Sequence, residues 1–369
     1  MRVVTVMGTR PEVIKLAPVI AELRRRPDSD CVVVATGQHR EMLDQMLGIF
    51  DIQPDVDLDV MRPGQRLSDL TADLIRGLGK VLADLRPDWV VVQGDTSTTM
   101  CGALAAFYEN VSVAHVEAGL RSGDRLAPFP EEINRTVVAR LADLHFCPTQ
   151  QSAANLIRES VPAGSVHVTG NTVIDSLFWA VQHAQAIDPP VPRTRRRRIL
   201  LTVHRRESHG EAMRSVCEAV RRLAHRRGVE IVFPVHRSPF VRDVVQQELA
   251  GSEGVHLCEP LDYLSLVHVL ASSDLVLTDS GGLQEEAPAF GKPVLVLRDT
   301  TERPEAVEAG VARLVGTDTD VIVDGAYSLL DDPVAYARMA HPENPFGDGQ
   351  AGPRIVRTLA ERSRLLRAA

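Results

Sequence analysis

Leu275-Val276-Leu277-Thr278-Asp279-Ser280-Gly281-Gly282-Leu283-Gln284-Glu285-Glu286 changes character within a few positions. Its aliphatic start, closed by turn residues, reads as a strand buried on both faces. Ser280 is placed to cap a following helix with its hydroxyl. Gly281 and Gly282 remove side chains where a ligand would approach the backbone. The free N–H groups and the positive end of the helix dipole would then point out of the turn, which suits an anion. Glu286 follows in the first helical turns, able to accept hydrogen bonds from hydroxyls such as those of a ribose. A second apolar run, 293–297, leads into Arg298-Asp299-Thr300-Thr301-Glu302-Arg303-Pro304-Glu305, and Pro304 suits a first helical position. Together the two turns read as a holder for a nucleotide diphosphate.

Outward from this stretch, the same strand–turn–helix rhythm repeats. In the first half, apolar runs at 2–7, 31–35, 89–92, 111–115, 144–147 and 166–169 each end in a turn rich in glycine or polar residues. Val13, Ile14, Leu16, Ala17, Ile20 and Leu23 recur at helical spacing, and 67–85 is helical up to the stop at Pro87. Residues 51–64 read as irregular. In the second half the runs fall at 199–203, 230–233, 255–257, 275–277, 293–297 and 312–315. None alternates with polar residues, so the expected fold is α/β, with doubly wound parallel sheets covered on both faces. A chain of 369 residues suits two domains. The pattern lapses between 186 and 198, where Ile187-Asp188-Pro189-Pro190-Val191-Pro192 reads as a linker. The expected domains are 1–187 and 188–349, with the helical segment 350–369 returning to the first.

Composition narrows the classes. Apolar content of 44% and charged content of 24% are those of a soluble globular chain, and the net charge of −8 argues against nucleic acid as a partner. Of the basic runs, Arg24, Arg25 and Arg26 sit where cations suit a helix end, and Arg195 to Arg198 fall in the linker. The five cysteines, Cys31, Cys101, Cys147, Cys217 and Cys258, are widely spaced without a CxxC pair, which reads as reduced core thiols of a cytoplasmic protein. Met1 leads straight into a strand, leaving no room for a signal peptide, and no apolar run reaches the roughly 18 residues of a membrane span. HExxH and GxxxxGK[ST] are missing and the turn Gly8-Thr9-Arg10 does not fit GxGxxG, so neither a metal site nor a nicotinamide cofactor is expected.

In such sheets ligands bind beyond the carboxyl ends of the strands. Arg10, Lys15, Gln38, His39, Asp95, Glu117, His204, His236, Ser280, Gly281, Gly282 and Arg303 all fall there. Two domains facing each other with these ends would form one cleft. Several candidates also have a plain structural reading. Arg10 and Lys15 could be solvated helix-end cations, and Asp95 could cap the next helix. Glu131 sits in a first turn after Pro130, where a dipole contribution of about 0.3–1 kcal/mol accounts for it. Glu117, between a strand and Gly119, has no such excuse. His204 opens a run with five ionisable side chains in six positions, and its near-neutral titration suits acid/base work. His236 could equally be a packing or capping residue.

Ten ordered segments carry a resemblance: Gly8-Thr9-Arg10-Pro11-Glu12, Gln38-His39-Arg40, Gly94-Asp95-Thr96, His115-Val116-Glu117-Ala118-Gly119-Leu120-Arg121, Pro130-Glu131-Glu132-Ile133-Asn134-Arg135, Gly170-Asn171-Thr172, His204-Arg205-Arg206-Glu207, Pro234-Val235-His236, the stretch from Thr278 to Pro288 and that from Arg298 to Glu305. From Met1 to about Gly349 the chain resembles the bacterial non-hydrolysing UDP-N-acetylglucosamine 2-epimerases. The resemblance implies a GT-B-like fold, two Rossmann-like domains across a cleft, and a homodimer. It implies interconversion of UDP-GlcNAc and UDP-ManNAc without cofactor or metal, by anti elimination of UDP to 2-acetamidoglucal and re-addition. Carried over by motif, Asp95, Glu117 and Glu131 are the acid/base carboxylates, and His204 is a further catalytic residue that faces them, either to stabilise the departing phosphate or to shuttle a proton. Arg10, Lys15, His236, Ser280, Gly281, Gly282, Glu286 and Arg303 bind the substrate. Gln38, His39, Gln65 and His236 match an activating second UDP-GlcNAc site. A GT-B glycosyltransferase, a hydrolysing epimerase and an inactive nucleotide-sugar sensor remain as alternatives.

Overall fold

Valine-, isoleucine- and leucine-rich runs become strands because β-branched side chains pack well on a pleated surface, and helices cover both faces. The computed structural model describes residues 1–369 apart from 38–39, 63, 186, 206–209, 227, 342 and 369. The chain divides into two compact units, Met1–Ser176 with Phe346–Ala369, and Leu177–Pro345.

The first unit holds β1 (Arg2–Met7), β2 (Asp30–Ala35), β3 (Val56–Asp57), β4 (Trp89–Gln93), β5 (Ser112–Val116), β6 (Leu144–Cys147) and β7 (Val166–Val168). They form one parallel sheet in the order β3-β2-β1-β4-β5-β6-β7. The strand β3 lies where the sequence reads as irregular; two residues paired to Val34 and Ala35 are too short to leave a pattern. The C-terminal helix, Ala351–Ala368, belongs to this unit. Asp175 accepts from the N–H groups of Ala351 and Gly352 at its start, at 3.2 and 2.8 Å. Gly352 lets it lie against Pro18, where a Cβ would come within 3.1 Å of backbone. Trp89, deep in β4, donates from Nε1 to Ser363 at 2.8 Å.

The second unit holds β8 (Arg197–Thr202), β9 (Val229–Pro234), β10 (Val255–Cys258), β11 (Leu275–Thr278), β12 (Val294–Val296) and β13 (Ala312–Leu314). These are also parallel, in the order β10-β9-β8-β11-β12-β13. Its core joins the helix Glu211–Ala224 to the inner faces of β8, β9 and β11 through residues such as Val216, Val220, Leu201, Phe233 and Leu277. The basic run 195–198, expected in the linker, lies partly in the sheet. Arg197 and Arg198 lie in β8, and Arg198 is fully buried. Its Nε donates to Glu230 at 2.8 Å, and its Nη atoms donate to the carbonyls of Val191 and Pro192. A buried guanidinium must have its charge and its N–H groups matched, and here the linker backbone supplies part of that match. All five cysteines are free, and burial pushes their thiols up to about 11 to 12. Among the described residues no helix is long and apolar enough to cross a membrane.

Each sheet reverses its strand order once, between β1 and β4 in the first unit and between β8 and β11 in the second. At such a switch point the connections leave in opposite directions and open a crevice at the carboxyl ends. The candidate residues gather at these two places.

Candidate functional site

In the first unit, β1 runs into a turn and the helix Arg10–Arg25. The turn is held by Glu12, whose buried carboxylate accepts from the Gly8 and Thr9 N–H groups at 2.8 and 2.7 Å. Its other oxygen accepts from Thr96 Oγ1 at 2.7 Å, which ties this turn to the one after β4. Burial pushes the Glu12 pKa up, against the pull of those hydrogen bonds. Arg10 is half-buried at the helix start, and no hydrogen bond or ion pair is made by it among the described residues.

Asp95 does not cap the helix that follows it. Thr96 caps the helix Ser97–Tyr108, accepting from the Thr99 N–H. Asp95 is left for other partners and takes Arg135, at 2.6 Å. Burial pushes its pKa up; Arg135 pulls it down, Glu117 pushes it up again, and Lys15 and Glu131 make smaller contributions of opposite sign. Asp95, Glu117 and Glu131 therefore form one interacting set.

Glu117 follows β5 with φ at +62°, a left-handed conformation that costs a non-glycine residue on the order of 1 kcal/mol. Its surroundings hold it there. Lys15 forms an ion pair with one oxygen, Gln93 donates to the other, and Asn171 Nδ2 donates at 3.0 Å. An ammonium and two amides are the donor set of a carboxylate anion. The two turns are tied directly as well: the His115 Nε2–H donates to the Gly94 carbonyl at 2.7 Å, and the Gly94 N–H donates to Val116. A carbonyl can only accept, so His115 carries its proton on Nε2. Burial holds His115 down at about 3, so it stays neutral.

The helix Glu131–Leu141 completes the set. Glu131 lies in its first turn with Oε2 buried and without a hydrogen-bond partner. Glu132 plays a different part, accepting from the N–H groups of Ser122 and Gly123 at 3.0 and 3.1 Å and so fixing that loop. Asn134 donates to the Asp95 carbonyl at 2.8 Å. Positions 131, 134 and 135 share one helical face by their spacing. Sequence reading names Glu131 but passes over Arg135 and Asn134, whose signal is this spacing, and also Gln93, Asn171 and Glu12.

Gln65, from the predicted activating site, donates to Asp73 at 3.0 Å and accepts from the Arg62 N–H at 3.2 Å. Gln38 and His39 lie outside the described residues.

In the second unit, β11 ends at Thr278 and β8 at Thr202, with their hydroxyls 2.6 Å apart. Ser280 occupies the cap position of the helix Gly281–Glu286, but its hydroxyl makes no cap bond, contrary to expectation. Its backbone is held instead, the Ser280 N–H donating to Thr278 Oγ1 at 2.9 Å. Neither Gly281 nor Gly282 has a positive φ, and a Cβ on either would meet nothing nearer than 3.8 Å. Backbone strain and internal packing therefore give no reason for glycine at either position, and open space in front of them does.

Gln284 fastens this turn to the loop after β12. It is fully buried, donates to the Ser280 carbonyl at 3.2 Å and accepts from Thr301 Oγ1 at 2.5 Å. The Thr301 hydroxyl in turn accepts from the Arg303 N–H at 3.0 Å. Arg303 pairs with the buried Glu285, and Arg205 with Glu302 at 3.1 Å. Glu286 is half-buried in the last turn of its short helix. The His204 and His236 rings lie 6.1 Å apart between centroids, and His236 Nδ1 accepts from the Ser238 N–H at 3.1 Å. Beneath His204 sits Asp279, fully buried, a partner that sequence reading places only in the turn.

Comparison with known proteins gives one answer. The family model described as UDP-N-acetylglucosamine 2-epimerase matches residues 21–360. The UDP-N-acetylglucosamine 2-epimerase of Bacillus subtilis is 48% identical over 360 residues, covering 97% of this chain and 95% of that one. The crystal structure of UDP-GlcNAc 2-epimerase from Neisseria meningitidis bound to UDP-GlcNAc superposes with a TM-score of 0.88 at 46% identity, covering 98% and 100% of the two chains. The Staphylococcus aureus MnaA–UDP structure has a TM-score of 0.86 at 44% identity, covering 99% and 97%. The two-sheet architecture is thus the GT-B-like fold of these epimerases.

Proposed function

The chain belongs to the UDP-N-acetylglucosamine 2-epimerase family, and on that premise we propose how this isomerase inverts C2 of UDP-GlcNAc without hydrolysing it. The C2 proton is not acidic enough for simple removal and return. In the proposed route a carboxylate takes that proton as the C1–O bond breaks and UDP departs, leaving a C1=C2 double bond in 2-acetamidoglucal. A UDP oxygen then attacks C1 again while a second acid delivers a proton to the opposite face of C2. No water is consumed.

One observation carries this reading: Asp95, Glu117 and Glu131 form one interacting set in the first unit, with unlike surroundings. Glu117, with its ammonium and amide donors, suits the base. Asp95, its pKa raised by burial, suits the proton donor, because a general acid must hold its proton near working pH. Glu131 completes the set as a carboxyl with one oxygen unclaimed. A protein that only bound the nucleotide sugar would have no use for three interacting carboxyls. Ser280, Gly281 and Gly282 are assigned to the diphosphate, Glu286 to the ribose, and Arg10, His204, His236 and Arg303 to the leaving group. Lys15 serves Glu117 and adds positive charge. That the relatives from N. meningitidis and S. aureus were solved with UDP-GlcNAc and UDP supports the ligand.

The test is an NMR time course on UDP-GlcNAc in D2O. The expected product is UDP-ManNAc with deuterium at C2. Accumulation of free ManNAc and UDP would replace the mechanism with a hydrolytic one, and a product without deuterium would exclude proton exchange at C2.

A further inference from the structure

His204 and Asp279 follow β8 and β11, the neighbouring strands at the switch point of the second sheet. Asp279 uses its two oxygens differently. Oδ2 accepts from the backbone N–H groups of His204 and Arg205, each at 2.9 Å. That alone would hold the turn. Oδ1 lies 3.0 Å from His204 Nδ1. The contact lacks the alignment of a hydrogen bond, but a carboxylate oxygen at this distance repels a bare nitrogen lone pair and attracts an N–H, which favours the tautomer with hydrogen on Nδ1. In the neutral ring Nε2 then keeps its lone pair. The carboxylate is wholly buried, while 43% of the histidine side chain is exposed.

We infer that Asp279 is the positioning residue of His204: it fixes the ring's tautomer and orientation so that Nε2 is the atom presented to the substrate. The inference rests on the role given above to His204. Asp279 also acts through its charge, which stabilises the imidazolium whenever Nε2 holds a proton. Burial pushes the Asp279 pKa up, but the side-chain contact and charge of His204 and the two backbone N–H groups outweigh it, so the carboxyl sits below its usual range. Among the described residues, the other charged or titratable groups near the ring in this unit do not replace it. Arg205 is committed to Glu302, and His236 lies ring to ring at 6.1 Å.

Asp279→Asn separates the two oxygens. The asparagine carbonyl can still accept from both backbone N–H groups, while its NH2 faces Nδ1 and favours the opposite tautomer. The experiment is nitrogen-15 NMR of histidine-labelled full-length protein, with steady-state kinetics alongside. The expected result is an Nδ1–H tautomer for His204 in the wild type and Nε2–H in Asp279→Asn. With it, kcat falls by about 10²-fold or more at little-changed KM. An Nε2–H tautomer in the wild type overturns the inference and needs no variant to be seen. So does an Asp279→Asn variant with wild-type kcat while His204→Gln is inactive. A His204→Gln variant with wild-type turnover would instead overturn the role assigned to His204.

Discussion

Asp95 and Asp279 hold corresponding places in the two units. Each follows the strand just beyond a switch point, β4 in one sheet and β11 in the other. Their environments drive them apart. Asp95 is surrounded by other carboxyls, and its pKa is raised by burial, with Arg135 opposing. Asp279 is met by two backbone N–H groups and an imidazole, and its pKa is lowered despite burial. One is suited to holding a proton and the other to remaining an anion. The same fold unit, used twice, thus gathers interacting carboxyls, the proposed proton-transfer groups, in one copy and builds a turn around open glycines in the other. Function lives in the site and not in the architecture.

The sharpest way to break this contrast is to remove the proton from Asp95. Asp95→Asn keeps the shape and should lower turnover by about 10²–10⁴-fold, as loss of a general acid or base does, with substrate binding by calorimetry little changed. Glu117→Gln belongs in the same range. Near-normal rates in both would end the carboxylate assignment.

A smaller effect separates the units by pH. His115 and His145 are buried in the first sheet, where burial lowers their pKa values to about 3 and about 4 from an ordinary 6.5. The unfolded chain therefore binds more protons than the folded one below 6.5. The stability these residues contribute is whole above that pH and is lost as the pH falls, at no more than about 1.4 kcal/mol per unit for each histidine. Asp175, raised to about 6 by burial, works in the opposite direction. The measurement is accordingly a difference. His115→Gln, which can still donate to the Gly94 carbonyl, should flatten the fall in urea midpoint between pH 7 and 5 relative to wild type. An unchanged slope would show that His115 is not held neutral.

The smallest effect tests the glycines. Gly281→Ala has room for its Cβ and ordinary helical backbone, so thermal stability should hold or rise slightly. Affinity for UDP should fall by about tenfold, or 1.4 kcal/mol. Unchanged affinity would mean that the open space before Gly281 is not where the diphosphate lies.

Much of the fold is legible in the chain itself. The strand runs fall within a residue or two of the observed strands because buried parallel strands are uniformly apolar, whereas β3 escapes because two residues carry no pattern. Glu117 stands out because a carboxylate between an apolar strand and a glycine has no local use. Asp95 looks like a cap because aspartate commonly is one; only the neighbouring Thr96 hydroxyl, already serving Thr99, shows otherwise. Arg198 reads as linker because its partners, Glu230 and the carbonyls of Val191 and Pro192, are set by the sheet and the linker path.

The sequence by itself determined the α/β class, the family and the turns at which chemistry gathers, because period, turn residues and ordered motifs are local properties of the chain. Tertiary structure alone decided what each charged group does. The pairing of Lys15 with Glu117, of Arg135 with Asp95 and of Asp279 with His204 spans up to 102 positions of sequence. Protonation depends on burial and on the nearest charges, and both are properties of the folded surroundings.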